Sequence, residues 1–254
     1  MMSQLPVTQM KRFRDEIIRF MMMYKFALDE METRIGILVE EFEMLHDYNP
    51  IEHTKSRLKS PESILNKLHR KGCDFSFSSI RDNIKDIAGM RITCSFLSDI
   101  YVISEMLKNR SDLRVREEKD YIQHPKPNGY QSLHLLIDVP VFMSDRQESV
   151  SIEVQIRTIA MDFWASLEHK IYYKFSEGNQ AVPARLLKEL KEAANAASAL
   201  DRQMERLHKE IDEIKEEQSE MSGERLDRIV INNQQFALPQ AWLELLDAKE
   251  DSGK

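Results

Sequence analysis

Cysteine and glycine are scarce: the 254 residues include 2 cysteines and 7 glycines. Cys73 and Cys94 cannot build a disulfide framework, which fits a reducing compartment. With scattered histidines they make no zinc-finger spacing. Neither a Walker A pattern nor GxGxxG occurs, so a bound phosphate has to be held by side chains. No run of about 18 apolar residues is present, and no membrane span is expected. Met1 to Met10 lacks a basic stretch followed by an apolar core, so no secretory leader is expected and a cytoplasmic location is. Internal repeats and low-complexity blocks are absent. What remains is ordinary for a soluble globular chain, at 42% apolar and 31% charged residues. The length allows one large domain or two small ones with a real core.

Net charge is −7, unevenly spread: −5 falls from Ala181 onward and −2 on the preceding 180 residues. That balance disfavours a dedicated nucleic-acid binder. Yet Lys55 to Lys71 carries Lys55, Arg57, Lys59, Lys67, Arg70 and Lys71 against the single acid Glu62. A local positive patch in an acidic chain suits a small anionic ligand; a solvated helix face accounts for it equally well.

Apolar spacing predicts a helix over Thr8–His46, ended by Asn49-Pro50. Ser60-Pro61-Glu62 opens another, with Ile64, Leu65 and Leu68 inward and a stop near Gly72. Strands are expected over 87–96, 113–122, 132–139 and 150–157, with a short helix from Ser98 to Leu107. His124-Pro-Lys-Pro-Asn-Gly129 reads as a loop. A helix follows over Ile159–Phe175. A long charged helix from Pro183 to about Ser222 carries a heptad-like series: Leu186, Leu190, Ala193, Ala197, Leu200, Met204, Leu207, Ile211 and Ile214. That series suits packing against a partner helix or subunit. The expected organisation is one domain over 1–222 and a flexible extension over 223–254, with an apolar cluster at Leu238–Leu246.

The strand ending at Arg157 alternates strictly. Val150, Ile152, Val154 and Ile156 share one face; Ser151, Glu153, Gln155 and Arg157 share the other. The polar face can floor a ligand cleft, or simply face water. Asp86 stands at a strand edge three residues before Gly89, and with Glu153 it could share one Mg²⁺. In the loop, Lys126 offers a phosphate contact and Tyr130 a flat face for a purine. His134 falls on the same strand face as Asp138. Two carboxylates, a basic grip (Arg57, Lys59, Lys67) and a stacking tyrosine together suggest metal-assisted transfer of a phosphoryl-type group from a nucleotide. His46-Asp47 resembles the core of metal-dependent phosphohydrolases, but only His53, in an expected loop, and His69 lie near it.

Five ordered motifs carry a resemblance: Asn49-Pro-Ile-Glu-His-Thr-Lys-Ser-Arg57-Leu-Lys59-Ser-Pro-Glu-Ser63; Asp86-Ile-Ala-Gly-Met-Arg91; Lys119-Asp-Tyr-Ile; Pro125-Lys-Pro-Asn-Gly-Tyr130-Gln-Ser-Leu-His134; and Glu153-Val-Gln-Ile-Arg-Thr-Ile-Ala-Met-Asp-Phe-Trp-Ala-Ser-Leu-Glu-His169. Over about Tyr24 to Leu207 the chain resembles the synthetase domain of the RelA/SpoT family, in the form of a small alarmone synthetase of the RelP type. The resemblance implies a nucleotidyltransferase-like α/β fold of the α+β kind: a mixed sheet flanked by helices and assembled as a homotetramer. It implies transfer of the β,γ-pyrophosphate of ATP to the ribose 3′-oxygen of GTP or GDP, giving pppGpp or ppGpp and AMP in the stringent response. Carried onto this chain, Asp86 and Glu153 would bind Mg²⁺, and Glu153 would help deprotonate the hydroxyl. Arg57, Lys59, Ser63, Lys67 and Arg91 would hold ATP. Lys119, Lys126, Tyr130, His134 and Gln155 would surround the guanosine nucleotide. A separate hydrolase domain is not expected at this length. A non-catalytic sensor of guanine nucleotides and a single-stranded RNA binder are the alternative readings, RNA binding not being expected as the primary role.

Overall fold

A computed structural model describes residues 7–46, 48–177, 181–219, 228–231 and 234–237. The elements run α1 (Val7–Leu45), β1 (Ile51–Leu58), α2 (Pro61–Arg70), α3 (Phe77–Asn83), β2 (Ala88–Cys94), α4 (Leu97–Asn109), β3 (Arg114–Asp120), β4 (Leu133–Phe142), β5 (Gln147–Thr158), α5 (Ile159–Glu177), α6 (Ala184–Ser219), β6 (Arg228–Ile231) and β7 (Gln234–Ala237). The first five strands form one sheet in the order β1-β2-β5-β4-β3. Only β2 and β5 run parallel; the other neighbours are antiparallel. The fold is therefore the expected mixed sheet flanked by helices, with a long C-terminal helix of 36 residues.

Alternation in the central strands decides what each face meets. Met90, Ile92, Leu133, Leu135, Ile137, Val150, Ile152, Val154 and Ile156 join one core with Phe20, Ala27, Met31 and Ile35 of α1 and Ile100, Ile103 and Leu107 of α4. Removing this apolar surface from water is what seats α1 and α4 on the sheet. The other face of the same strands is left to polar side chains.

Local signals fix the element ends. The Ser60 hydroxyl accepts a hydrogen bond from the Ser63 amide at 3.2 Å, with Pro61 in the first turn of α2. Gly72 follows that helix at φ +63°, a left-handed position that favours glycine. Thr158 Oγ1 accepts from the Met161 amide at 3.1 Å and opens α5.

Four expectations need correction. Residues 51–58 are a strand, and His53 lies in it rather than in a loop. Only Ile51 of that strand is buried, because an edge strand dressed in charges carries no apolar alternation. The short α3, capped by Ser76, has a single buried residue, Ile80, and was likewise invisible to periodicity. Leu65 is 39% exposed, leaving Ile64 and Leu68 as the inward pair of α2. On α6 the buried alanine is Ala194, not Ala193. Asp47, most of 223–254 and the cluster at Leu238–Leu246 lie outside the described residues; within that extension β6 and β7 pair antiparallel.

Candidate active site

Strand register builds the site. Lys55 pairs with Arg91, Arg91 with Gln155, Gln155 with His134 and His134 with Lys119, so one row crosses all five strands on the polar face. Two residues along, Arg57 pairs with Gly89 and Gly89 with Glu153. Same-face neighbours along a strand are about 7 Å apart, so the two rows enclose a nucleotide-scale area. Gly89 leaves the floor open between Arg57 and Glu153. Lys55, Arg57, Asp86, Gly89, Met90, Arg91, Glu153 and Gln155 line a cleft of roughly 250 Å³.

At one end stands Asp86. Lys59 Nζ lies 2.5 Å from its Oδ2 and Lys67 Nζ 2.7 Å from its Oδ1. Burial pushes the Asp86 carboxyl up, but the two lysines outweigh it and hold the group below its ordinary value. The Lys59 amide donates to the Ile87 carbonyl at 2.8 Å, tying the segment before α2 to the start of β2. Lys59 is 8% exposed, so its charge is tolerated through this pairing. Ser63 sits in the first turn of α2 and spends its amide on the Ser60 cap.

Glu153 occupies the middle. Its Oε1 accepts from His134 Nδ1 at 3.3 Å and its Oε2 from Gln155 Nε2 at 2.9 Å. Burial pushes this carboxyl up and Asp86 adds to that; the bonds from His134 and Gln155 prevail and leave it below its ordinary value. Both acids are thus ionised at neutral pH and share one cleft.

The other end is a connected network around Arg157. This side chain is 4% exposed. Its Nη2 donates to the Tyr130 hydroxyl at 2.5 Å and to Gln155 Oε1 at 2.7 Å, its Nη1 to Asp162 Oδ1 at 3.2 Å and its Nε to Ser132 Oγ at 3.3 Å. Asp162 also pairs with Arg91 at 2.8 Å. Burial pushes the Tyr130 hydroxyl pKa up, and Arg157 only partly offsets this. The hydroxyl therefore keeps its proton and is hydrogen-bonded to His134 Nε2 at 2.7 Å, the direction set by the imidazole tautomer. A continuous chain runs Arg157–Tyr130–His134–Glu153. Lys126 Nζ lies 4.5 Å from the Tyr121 ring centre and 4.7 Å from that of Tyr130.

Of the expected residues, Asp86, Glu153, Arg57, Arg91 and Gln155 line the cleft directly. Lys59 and Lys67 reach it through Asp86, and Tyr130 and His134 through Glu153 and Gln155. Lys126 flanks the aromatic end. Lys119 stands apart: it is at the outer end of the row on β3, half exposed, with its ammonium 2.8 Å from Glu117. Arg157, on the strand face expected to lie open, is buried instead. Sequence reasoning put Arg157 on the strand face that could floor a cleft and Lys55 in the basic patch, without a specific role for either, and gave Asp162 and Tyr121 none. Arg157 had a signal, two positions beyond Gln155 on the same face; Asp162 and Tyr121 needed tertiary contacts to be found.

The residues fit a magnesium ion. Among the described residues no group of three or more acidic, histidine or cysteine side chains converges on one point. Two ionised carboxylates in one basic cleft are nonetheless a suitable donor set, because Mg²⁺ commonly keeps waters and takes one or two carboxylates plus substrate phosphates.

Comparison with known proteins identifies the family. The family described as the region found in RelA / SpoT proteins matches residues 56–178. The chain is 55% identical over 205 residues to the GTP pyrophosphokinase YwaC of Bacillus subtilis, covering 81% of this chain and 94% of that one. The crystal structure of small alarmone synthetase 2 from Bacillus subtilis superposes with a TM-score of 0.68 at 56% identity, over 75% of this chain and 96% of the other. That of small alarmone synthetase 1 from the same species, bound to its product pppGpp, gives a TM-score of 0.71 at 36% identity, over 77% and 98%.

Proposed function

The chain belongs to the RelA/SpoT family as a small alarmone synthetase, and from that premise we propose that it is a GTP pyrophosphokinase acting on ATP and a guanosine nucleotide. The observation that carries the reading is the pair of ionised carboxylates, Asp86 and Glu153, in a cleft with a cationic end and an aromatic end. Its relatives YwaC and YjbM of Bacillus subtilis, both GTP pyrophosphokinases, support it.

In this reading Arg57 and Arg91, with Lys55, grip the ATP phosphates from the β1 and β2 rows. Lys59 and Lys67 hold Asp86 ionised, and would be shared with phosphate if Asp86 took a metal. Ser63 adds a hydroxyl at the positive end of α2. Asp86 and Glu153 would hold Mg²⁺, which when bound neutralises phosphate charge and lowers the acceptor's pKa. Tyr130 stacks on guanine, with Lys126, His134 and Gln155 around the ribose and phosphates; Lys119 serves at most the outer phosphates.

The ribose 3′-oxygen attacks the β-phosphorus of ATP. A new 3′-O–Pβ bond forms, the bond from Pβ to the oxygen bridging the α-phosphorus breaks, and AMP leaves with that oxygen. The hydroxyl proton passes to Glu153. That carboxylate is a weak base at rest, so the transfer occurs as bond formation makes the hydroxyl acidic. His134, already bonded to Glu153, holds the carboxylate in line. Much of the catalysis is alignment and charge compensation, since the nucleophile is neutral and ATP is polyanionic.

The exposed side of α6, with Leu200, Leu207, Ile211 and Ile214, supports subunit packing of the homotetrameric kind. ATP and a guanosine nucleotide as substrates support a cytoplasmic reaction, and an alarmone product supports a role in the stringent response. No helix among the described residues is long and apolar enough to cross a membrane.

Anion-exchange analysis of a mixture with ATP, Mg²⁺ and either GTP or GDP tests the reading. AMP formed in step with a more highly phosphorylated guanosine nucleotide supports it. Nucleotide binding without product, with either acceptor, moves the chain to the sensor reading.

A further inference from the structure

The loop that presents Tyr130 is pinned from behind by the two C-terminal helices. The Gly129 amide donates to the Lys126 carbonyl at 2.8 Å and the Lys126 amide to the Tyr130 carbonyl at 3.1 Å, closing a tight turn. Gly129 has φ +92°, which side chains rarely adopt. A β-carbon built there would lie 2.5 Å from Cβ of Ala194 on α6. The helix surface therefore meets the loop backbone itself, and Ala194 is the small residue that permits the approach. Lys191, one turn earlier, is also against Gly129.

Two further contacts lock this arrangement. The Trp164 indole N–H on α5 donates to the Leu190 carbonyl of α6 at 2.8 Å. Asn128 Nδ2 of the loop donates to Glu168 Oε1 on α5 at 2.9 Å. Trp164, Ala165 and Ala194 form a small apolar cluster of their own, with Tyr130 and Ala197 packed on it. This cluster is separate from the main core, and Tyr130 is its link to the cleft.

We propose that the first half of α6 is the back wall of the acceptor subsite, and that Ala194, seated on Gly129, is a positioning residue for the guanosine acceptor and not for ATP. The proposal rests on the reading of Tyr130 as the guanine platform. It assigns α6 a part in acceptor selection in addition to any role in subunit packing. Bulk at position 194 pushes the turn, tilts Tyr130 out of its bonds to Arg157 and His134, and leaves the Asp86 end of the cleft untouched.

The test is a pair of identical substitutions one residue apart. Ala194 is buried and Ala193 is exposed on the same turn. KM for GTP or GDP and KM for ATP are measured for Ala194→Leu and Ala193→Leu, with thermal melting to verify folding. Ala194→Leu raises the acceptor KM about tenfold to a hundredfold, in the range a small misplacement costs, with ATP KM held within about twofold. Ala193→Leu leaves both close to wild type. If Ala194→Leu fails to fold, Trp164→Phe, which removes the bond to Leu190 and keeps most of the packing, is read in the same way. An unchanged acceptor KM in a folded variant, or equal rises in both KM values, overturns the proposal. A wild-type protein that makes no product with either acceptor overturns the functional reading beneath it; an active wild type with Ala194→Leu unaffected overturns the proposal alone.

Discussion

At the Asp86 end of the cleft, one carboxylate is held by two lysines on long flexible stems, from residues within one stretch of 59–86. At the Tyr130 end, a buried arginine bonds a tyrosine, a glutamine, a serine and an aspartate gathered from β5, α5 and the loop before β4. The first arrangement holds charge: two ammonium groups share one carboxylate, the buried Lys59 and the more exposed Lys67. The second holds shape, because a planar guanidinium with several fixed bonds has little freedom. A triphosphate tail carries mostly charge, whereas a purine and a ribose hydroxyl have to be placed. The division matches what each proposed substrate needs.

Substitutions sharpen this contrast in descending order. Glu153→Gln keeps the shape between the ends and removes the proton acceptor. Turnover falls by about 10²–10⁴-fold with both KM values near wild type, measured by AMP release. A large loss of ATP affinity instead would make Glu153 mainly a metal or structural ligand. Asp86→Asn removes the charge the two lysines share. Activity falls steeply and its Mg²⁺ dependence moves to higher concentration, while the melting temperature drops because Lys59 is left buried beside a neutral partner. Arg157→Lys breaks the other end: a point charge cannot serve four partners, so acceptor KM rises about tenfold and ATP KM stays put.

A smaller effect concerns pH. Asp86 and Glu153 titrate below their ordinary values of 3.8 and 4.5 when folded, so their stabilisation is complete above those values and is lost as pH falls through the folded ones. Asp201 on α6 behaves oppositely. Burial pushes its carboxyl up to about 6, only partly offset by the bond from Thr158. Its ionisation costs stability as pH rises from its ordinary 3.8 to about 6. Asp201→Asn therefore gains about 1 kcal/mol at neutral pH, or about 2–4 °C in melting temperature, and little or nothing near pH 4. A gain of equal size at both pH values would contradict the assignment.

The same contrast explains what the sequence made legible. Asp86, Glu153, Arg57 and Lys67 stand in short motifs whose chemistry is local, and strict alternation in β5 put Glu153 and Gln155 on one face. The central strands and the long helices declare themselves through the periodicity of a buried face. β1 and α3 do not, since each buries a single side chain. Arg157 was visible on the polar face, but its burial depends on Tyr130 and Ser132 from the loop before β4 and Asp162 from α5. The α6 series from Leu186 to Ile214 predicted a packing stripe. Leu190 and Ala197 of that series meet the rest of the protein, beside Ala194, Asp201, Glu205 and His208, which lie off it. Leu200, Met204, Leu207, Ile211 and Ile214 of the series are exposed, and only tertiary contact singles out Ala194 as the residue that holds the loop.

The division of labour is tested most directly by measuring KM for ATP and for the guanosine acceptor on Tyr130→Ala and Arg57→Ala side by side. Losing the stacking face costs about 1–3 kcal/mol per base, so Tyr130→Ala raises the acceptor KM by roughly tenfold to a hundredfold and leaves ATP near wild type. Arg57→Ala does the reverse. A crossed pattern of this kind is the predicted result; both KM values rising together in either variant would contradict two separately built subsites.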